Sequence, residues 1–276
     1  VRRIAFQGEL GAYSEEAVVR ACGADAEPVP CRENRDVVRA LADAAVDLAV
    51  LPLENTLAGT VTASYDAIAD EPGVHVVGEV VIPIHHCVLG VTGATLRSLR
   101  VIESHPVALA QCSSFFAQHS WLERRAAYDT AGAAREVARA RDLARGAIAG
   151  RGAAGRYGLV VLAADVEDRS DNQTRFVVLS RTPAHLPDGT PAKTILILST
   201  PNQPGALVRV LAPLAERALN LTKIESRPTG EPWTYRFVLE FEHSAADPAA
   251  ADALREVRAA SASFHVAGTY ARNAWT

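Results

Sequence analysis

Apolar positions along this chain follow one pattern up to about residue 182 and another beyond it. In the first part, short apolar runs such as IAF, VDLAVL, VHVVGEVVI, RVIES and GLVVL alternate with alanine-rich helical segments. That alternation predicts an α/β architecture with largely parallel sheets. The stretch from Thr182 to Ala192, TPAHLPDGTPA, then sets three prolines and a glycine between two apolar strands, the composition of a linker. Beyond it the pattern reads as a strand from Thr194 to Ser199, a PNQPG turn, a helix, two strands, a second helix and a last strand near Phe264 to Tyr270. Leu207, Leu211, Leu214 and Ala218 share one face of the first helix, and Tyr235, Phe237, Leu239 and Phe241 alternate with Arg236, Val238, Glu240 and Glu242 as in a half-buried strand. The βαββαβ order predicts a ferredoxin-like sheet with helices on one face.

The expected organisation is a first domain over 1–181, a linker over 182–192 and a small domain over 193–276. Within the first domain, the segment from Val74 to Val91 crosses between two α/β subdomains and the segment from Gly158 to Ser180 crosses back, leaving a cleft where the halves meet. Ser14, followed by Glu15 and Glu16, reads as a helix cap with carboxylates in the positive first turn.

Composition narrows the function classes. With 49% apolar residues, 22% charged residues and a net charge of −4, the chain reads as soluble and globular. Its 28 basic residues are dispersed among 32 acidic ones, so no stripe for nucleic acid and no attraction to membrane is implied. Cys22, Cys31, Cys87 and Cys112 lack CxxC spacing, which signals neither a zinc cage nor a redox pair. The opening VRRIAFQGEL turns polar after six residues, too short an apolar region for a signal peptide, and the expected location is the cytoplasm.

The candidate chemistry sits at strand ends. FQGELGAY has neither dinucleotide-fold nor kinase glycine spacing, yet a glycine-rich turn feeding a helix presents N–H groups to a carboxylate. PLENTLAG places Glu54, Asn55 and Thr56 at the carboxyl end of a strand, where open α/β sheets bind ligands; the same cluster also makes an ordinary turn. SHPVALAQC puts Ser104 and His105 at a strand end, with Ser104 and Pro106 reading as a helix start and Gln111 two turns along. NQTRF sets the Thr174 hydroxyl beside Arg175. His85 and His86 follow a proline, and a histidine in such a strand is usually packed or solvated; no metal-ligand spacing, nucleophile elbow or Ser/His/Asp signature appears. PGAL, opening the small domain's first helix, offers N–H groups to a carboxylate, and Glu225 in IESRP answers an ammonium group, a combination suited to a zwitterion.

Taken in order, FQGELGAYSE, PLENTLAGTV, PIHH, SHPVALAQC, DTAGAA, NQTRF, PGAL and ESRP resemble the prephenate dehydratase family with its C-terminal ACT domain. The resemblance implies a two-lobed, periplasmic-binding-protein-like α/β dehydratase domain and a regulatory ACT domain. It implies a lyase of phenylalanine biosynthesis that turns prephenate into phenylpyruvate without metal or organic cofactor, with L-phenylalanine as effector and a homodimer or homotetramer as the assembly. Carried over by position, it ties Thr174 to the dehydration and places Glu54, Asn55, Thr56, Ser104 and Gln111 in the cleft. Asn55, Thr56, Ser104 and Gln111 then orient the substrate, Arg175 pairs with its side-chain carboxylate, and Phe176 completes the substrate contacts. Glu54 is the rival acid, provided burial raises its pKa. Effector contacts fall on Gly205, Ala206, Leu207, Val208, Asn220, Leu221, Glu225, Ser226, Arg227 and Pro228. Two positions depart from the family: Thr56 stands where serine is usual, and Val107 where glutamine is common. Arogenate dehydratase is the alternative activity, and a non-catalytic small-molecule-binding protein the alternative class.

Overall fold

Residues 1–229 and 234–272 are described by a computed structural model. The last four residues of the small domain expected over 193–276 lie outside the described residues. In chain order, β1 (Arg3–Gln7), α1 (Tyr13–Cys22), β2 (Glu27–Cys31), α2 (Asn34–Ala42), β3 (Leu48–Asn55), β4 (Gly59–Thr60), α3 (Thr62–Ala69) and β5 (His75–Pro83) build a first lobe. The second lobe contains β6 (Cys87–Gly90), β7 (Val101–Ser104), α4 (Pro106–Ala110), α5 (Ser113–Gln118), β8 (Glu123–Ala126), α6 (Thr130–Ala140), β9 (Arg145–Ala149), α7 (Arg151–Tyr157) and β10 (Val160–Ala163). Strand β11 (Gln173–Ser180) returns to the first lobe, and β12 (Pro191–Ser199), α8 (Ala206–Glu216), β13 (Asn220–Pro228), β14 (Tyr235–Ser244), α9 (Pro248–Ala260) and β15 (Ser263–Ala271) form the small domain.

The first sheet runs β2-β1-β3-β11-β5, with β4 on β3, and the second runs β10-β6-β9-β7-β8. Parallel pairing holds for β1 with β2 and β3, and for β7 with β8 and β9. The sheets are less parallel than the alternation predicts, because β11 enters the first lobe after visiting the second and pairs antiparallel with both β3 and β5. Each sheet is covered on both faces. Ile4, Phe6 and Val50 pack with Val18 of α1, while Leu51 and Leu53 pack with Leu41 of α2 and Ile68 of α3. Full burial of each such aliphatic side chain contributes about 1.5–3 kcal/mol.

Some local expectations shift. Ser14 does not cap α1; Ala12 holds that position, and Ser14 is buried in the first turn. His105, not Ser104, precedes α4, and its Nδ1 accepts from Val107 N at 3.3 Å. Pro191 and Ala192, expected in the linker, already belong to β12, whose first residue tolerates a proline. In α8 the buried side chains are Ala206, Val210, Pro213 and Leu214, so the packed stripe is rotated from the expected one, and Ala218 lies beyond the helix in a left-handed conformation.

The small domain has sheet order β13-β14-β12-β15, the ferredoxin-like arrangement, with α8 and α9 on one face. Its other face is not solvated. Ile195, Ile197, Val238, Ala267 and Tyr270 pack against Val76, Val177 and Leu179 of the first lobe. Thus β14 is buried on both sides, and Glu240, on the face that alternation marks as polar, is only 2% exposed. Arg175 meets it with a bidentate pair, Nη1 to Oε2 and Nη2 to Oε1, both at 2.8 Å. Glu79 and Glu54 lie 3.3 and 3.2 Å from the same guanidinium, Lys193 donates to Glu79 at 2.9 Å, and Lys223 lies 3.4 Å from Glu54. Glu225 also lies 3.4 Å from Lys223, so three cations meet four carboxylates. Burial alone would raise the Glu240 pKa, but the hydrogen bonds and charge of Arg175, with help from Tyr65 and Lys193, leave it below the usual carboxylate range.

A depressed folded pKa means that Glu240 stabilises the protein fully above the unfolded value of about 4.3, and that this contribution is lost as pH falls through the folded value. Glu240→Gln, which strands the buried guanidinium, is expected to destabilise the chain by about 3–5 kcal/mol at neutral pH in denaturant unfolding, with the difference from wild type shrinking in acid.

Candidate active site

A cleft of about 280 Å³ lies between the lobes. Gln7, Tyr13, Ser14, Asn55, Thr174 and Phe176 line it from the first lobe, His105, Val107, Gln111, Tyr128 and Asp129 from the second, and His86 from the crossover between β5 and β6. The antiparallel register of β11 on β3 sets Thr174 opposite Asn55. Because side chains alternate along a strand, Thr174 and Phe176 face the cleft while Arg175 faces the small domain.

Asn55 organises the polar side. Its Oδ1 accepts from the backbone N–H groups of Leu57 and Ala58 at 3.0 and 2.8 Å, which fixes the amide's orientation. Its Nδ2 therefore points the other way, donating to Asn172 Oδ1 at 2.8 Å, to the Gln173 carbonyl at 3.1 Å and to Thr174 Oγ1 at 2.9 Å. The Thr174 hydroxyl, accepting this bond, keeps its own proton free, with no protein acceptor among the described residues. Asn172, fully buried, donates to Gln111 Oε1 at 3.3 Å, and His86 Nε2 lies 3.0 Å from that same oxygen. Beyond His86, Tyr13 OH lies 3.0 Å from Nδ1 and 2.7 Å from the His85 carbonyl.

The electrostatics follow from burial. Burial pushes His86 below the usual histidine range, outweighing its bond to Gln111 and the charge of Glu167, so the imidazole is predominantly neutral. Burial likewise pushes the Tyr13 phenol up, aided by Cys87 and Glu167. Asp129, the one carboxyl among the described lining residues, caps α6 by accepting from Gly132 N at 2.8 Å, and burial raises its pKa against the helix N–H groups. No arginine or lysine lies among the described lining residues. The donors this lining could offer an anion are amides, hydroxyls and the first turns of α1 and α6, which Ala12, Tyr13, Ser14, Asp129 and Thr130 bring to the cleft. Across the rim, Glu9 bonds Tyr128 and pairs with Arg135 of α6, joining the lobes.

The structure thus brings Thr174, Phe176, Asn55 and Gln111 into one cleft, but four other residues expected there point elsewhere. Ser104, buried at the end of β7, donates to the Ile148 carbonyl at 2.6 Å and ties β7 to β9 inside the second lobe. Thr56 Oγ1 accepts from Gln173 N at 3.0 Å and anchors the entry to β11. Glu54 is held by Arg175 and Lys223 on the side of the small domain, so the position required of a cleft acid is not met. Arg175, enclosed by Glu240, Glu79 and Glu54, is not available to a substrate carboxylate.

In the small domain, Gly205, Ala206, Leu207 and Val208 line a cavity of about 610 Å³ with Tyr235 and Phe237. Ser226 and Pro228 pair across the sheet with Phe237 and Tyr235 and stand on the same face. Glu225 and Arg227 are on the opposite face, where Thr60 donates to Glu225 at 2.6 Å and Arg227 pairs with Asp66 at 2.8 Å. They do not join Gly205 in this chain. Asn220 donates to Glu242 at 3.2 Å, and Leu221 packs in the helix-side core.

His86, Tyr13, His105 and Asp129 in the cleft, and Asn172 buried behind it, are the residues that local reading undervalues. Their signal lay in the motif blocks AYSE, PIHH, SHP, DTAGAA and NQTRF; spacing alone does not say that the blocks converge. The one grouping of metal-type ligands among the described residues, His85, Asp165 and Glu167, sits outside the cleft. There Glu167 already accepts from His85 Nδ1 and His86 N, each at 2.8 Å.

Fold and cleft, taken with the comparisons, define a two-lobed α/β lyase of the dehydratase type with an appended ferredoxin-like domain. Residues 4–184 match the prephenate dehydratase family profile and residues 194–259 match the ACT domain. The chain belongs to the prephenate dehydratase family. Arogenate dehydratase 2 of Petunia hybrida is 40% identical over 97% of this chain and 71% of its own. Arogenate dehydratase/prephenate dehydratase 2, chloroplastic, of Arabidopsis thaliana is 39% identical over 97% and 72%. Among solved structures, a prephenate dehydratase from Arthrobacter aurescens in complex with L-Phe is 31% identical, with a TM-score of 0.90 over 99% of this chain and 91% of that one. A protein described as a novel type of quorum-quenching acylase is 36% identical, with a TM-score of 0.90 over 99% of both chains.

The direction of the amide chain is testable. Asn55→Asp keeps the acceptor for Leu57 and Ala58 but replaces the donor facing Thr174 with an acceptor, turning the threonine proton out of the cleft. The substitution also removes the donor to Asn172 and the Gln173 carbonyl, so the expected result is a folded protein with a lowered melting temperature whose kcat falls roughly 100-fold or more in steady-state assays.

Proposed function

We propose that this chain catalyses the decarboxylating dehydration of prephenate to phenylpyruvate under control by L-phenylalanine at the ACT domain. Prephenate carries one carboxylate on a ring carbon, a second in its pyruvyl side chain and a hydroxyl across the ring. The bond to the ring carboxylate breaks, CO2 leaves, and the electron pair enters the ring. The carbon–oxygen bond opposite then breaks, and hydroxide departs with one proton as water. Aromatisation supplies the driving force, so the protein's task is to orient the substrate and ease a poor leaving group away.

The observation that carries this reading is the Thr174 hydroxyl, which accepts from Asn55 at 2.9 Å and so turns its proton into the cleft. It donates to the departing oxygen. A threonine hydroxyl is too weak an acid to be the final proton source, so it acts as a hydrogen-bond donor or relay fed from solvent. With Arg175 enclosed elsewhere, the substrate carboxylates are held by Gln111 and the N-terminal turns of α1 and α6.

Arogenate, which bears an ammonium group in the side chain, remains the second substrate, because Asp129 is a carboxyl placed to meet that charge. Comparing kcat/KM on the two substrates separates them. An acylase reading asks for an activated nucleophile beside a base, and the hydroxyl against a histidine in this cleft is a phenol, that of Tyr13. For regulation, the cavity at Gly205–Val208 is bordered by the exposed side chains of Val208 and Tyr235, with Ile224 on the adjoining strand. These apolar surfaces fit completion of the effector site by a second copy of the chain, giving a homodimer or a dimer of dimers.

Thr174→Ala is expected to lower kcat for phenylpyruvate formation by about 100- to 1000-fold with the fold intact, and Thr174→Ser to stay within about tenfold of wild type. Near-normal turnover by the alanine variant would remove the role given to this hydroxyl. Added L-phenylalanine should change activity and raise the melting temperature; no change in either would remove the effector assignment.

A further inference from the structure

The buried imidazole of His86 has no part in the mechanism above, yet the amide chain fixes what it must do. Backbone N–H groups cannot reverse, so the bonds from Leu57 and Ala58 set Asn55 with its oxygen toward them. That makes Asn55 a donor to Asn172 Oδ1, which in turn makes Asn172 a donor to Gln111 Oε1. The Gln111 oxygen therefore also faces His86 Nε2 at 3.0 Å, and the imidazole must carry its proton there. A carboxamide oxygen has two lone pairs, and both are now used. The Gln111 NH2 group has no protein acceptor among the described residues, and Gln111 lines the cleft. Both of its N–H donors are thereby turned toward whatever the cleft holds.

We propose that His86 is a positioning residue for the dehydration, holding the Gln111 carbonyl through Nε2–H so that both Gln111 N–H groups face a substrate carboxylate. This rests on the substrate assignment made above. Other groups hold the ring still: the Tyr13 hydroxyl, whose one proton is shared between the His85 carbonyl at 2.7 Å and the unprotonated Nδ1 at 3.0 Å, Glu167 accepting from the His86 backbone N–H at 2.8 Å, and an edge contact with the Tyr13 ring. None of these presents a hydrogen-bond donor to the substrate. With both ring nitrogens engaged by protein groups, the imidazole acts through Gln111 and not on the reacting atoms.

Without the Nε2–H contact, only the longer bond from Asn172, at 3.3 Å, opposes a half-turn of the Gln111 amide that would offer its oxygen to a carboxylate, which repels it. The effect should fall mainly on substrate binding where the group held is the side-chain carboxylate, which is present before and throughout the reaction.

The test compares His86→Phe, His86→Gln and His86→Asn, each alone and with Gln111→Ala, using steady-state kinetics on prephenate and calorimetric binding of prephenate at low temperature. Glutamine can place an amide N–H near the Nε2 position, whereas asparagine mimics Nδ1. The phenylalanine variant should raise KM and the binding constant by roughly ten- to a hundredfold with a smaller change in kcat. The glutamine variant should recover most of that loss and the asparagine variant little of it. In the Gln111→Ala background, His86→Phe should add almost nothing.

Unchanged KM in the phenylalanine variant, full additivity with Gln111→Ala, or rescue by asparagine but not glutamine would each overturn the proposal. A loss confined to kcat would do so as well, by making His86 a participant in proton transfer. If the phenylalanine variant fails to fold, the contrast between glutamine and asparagine decides alone. Failure of the substrate assignment looks different: wild type would form no phenylpyruvate, and the binding measurements would still report whether His86 orients Gln111 toward a carboxylate.

Discussion

Strand β11 carries the constraint on which the rest depends. Successive side chains on a strand point to opposite faces, so a hydroxyl in the cleft at Thr174 requires its neighbour Arg175 to enter the opposite side of the sheet. That side is covered by the small domain, and a guanidinium can be buried there only with carboxylates to meet it. Glu240, Glu79 and Glu54 do so. One residue step thus separates the cleft hydroxyl from the charge cluster that seats the small domain. A displacement of that domain relative to the first lobe acts on β11 through Arg175, whose chain neighbour is Thr174.

The cleft itself is built from amides and hydroxyls whose directions are inherited from the backbone. Two N–H groups after Asn55 orient its side chain, and each amide then orients the next, through Asn172 to Gln111. Of the cationic side chains near the cleft, the obvious partners for a doubly charged substrate, Arg175 helps seat the small domain and Arg135 helps join the lobes. A neutral lining of this kind makes recognition depend on donor geometry more than on net charge.

Much of this was legible in the sequence. The proline-rich stretch after Thr182 falls between β11 and β12, the βαββαβ order was readable from spacing, and NQTRF and PLEN named the two strand ends that meet at Thr174 and Asn55. What spacing did not show was which face of a strand is covered. Glu240 alternates like a solvated residue and is buried because another domain lies over it. Arg175 and Glu54, beside the hydroxyl and the amide in sequence, were read as cleft residues for the same reason. Ser104 looked like a helix cap or a substrate contact and instead holds a neighbouring strand's carbonyl. His86 looked like a packed histidine and is one, but its packing partner is a cleft amide.

Gly268 on β15 shows how closely the two domains are fitted. A methyl group there would come within 2.2 Å of the Val76 carbonyl oxygen in β5, and backbone on both sides leaves nowhere for it to go. The bare glycine lets two sheets from separate folding units approach without a side chain between them. Anyone grafting a regulatory unit from a relative onto this catalytic portion, to change which metabolite it answers to, inherits that requirement. The transplanted strand must be equally bare at the matching place, or the chimera will carry a sensor that is attached but not seated.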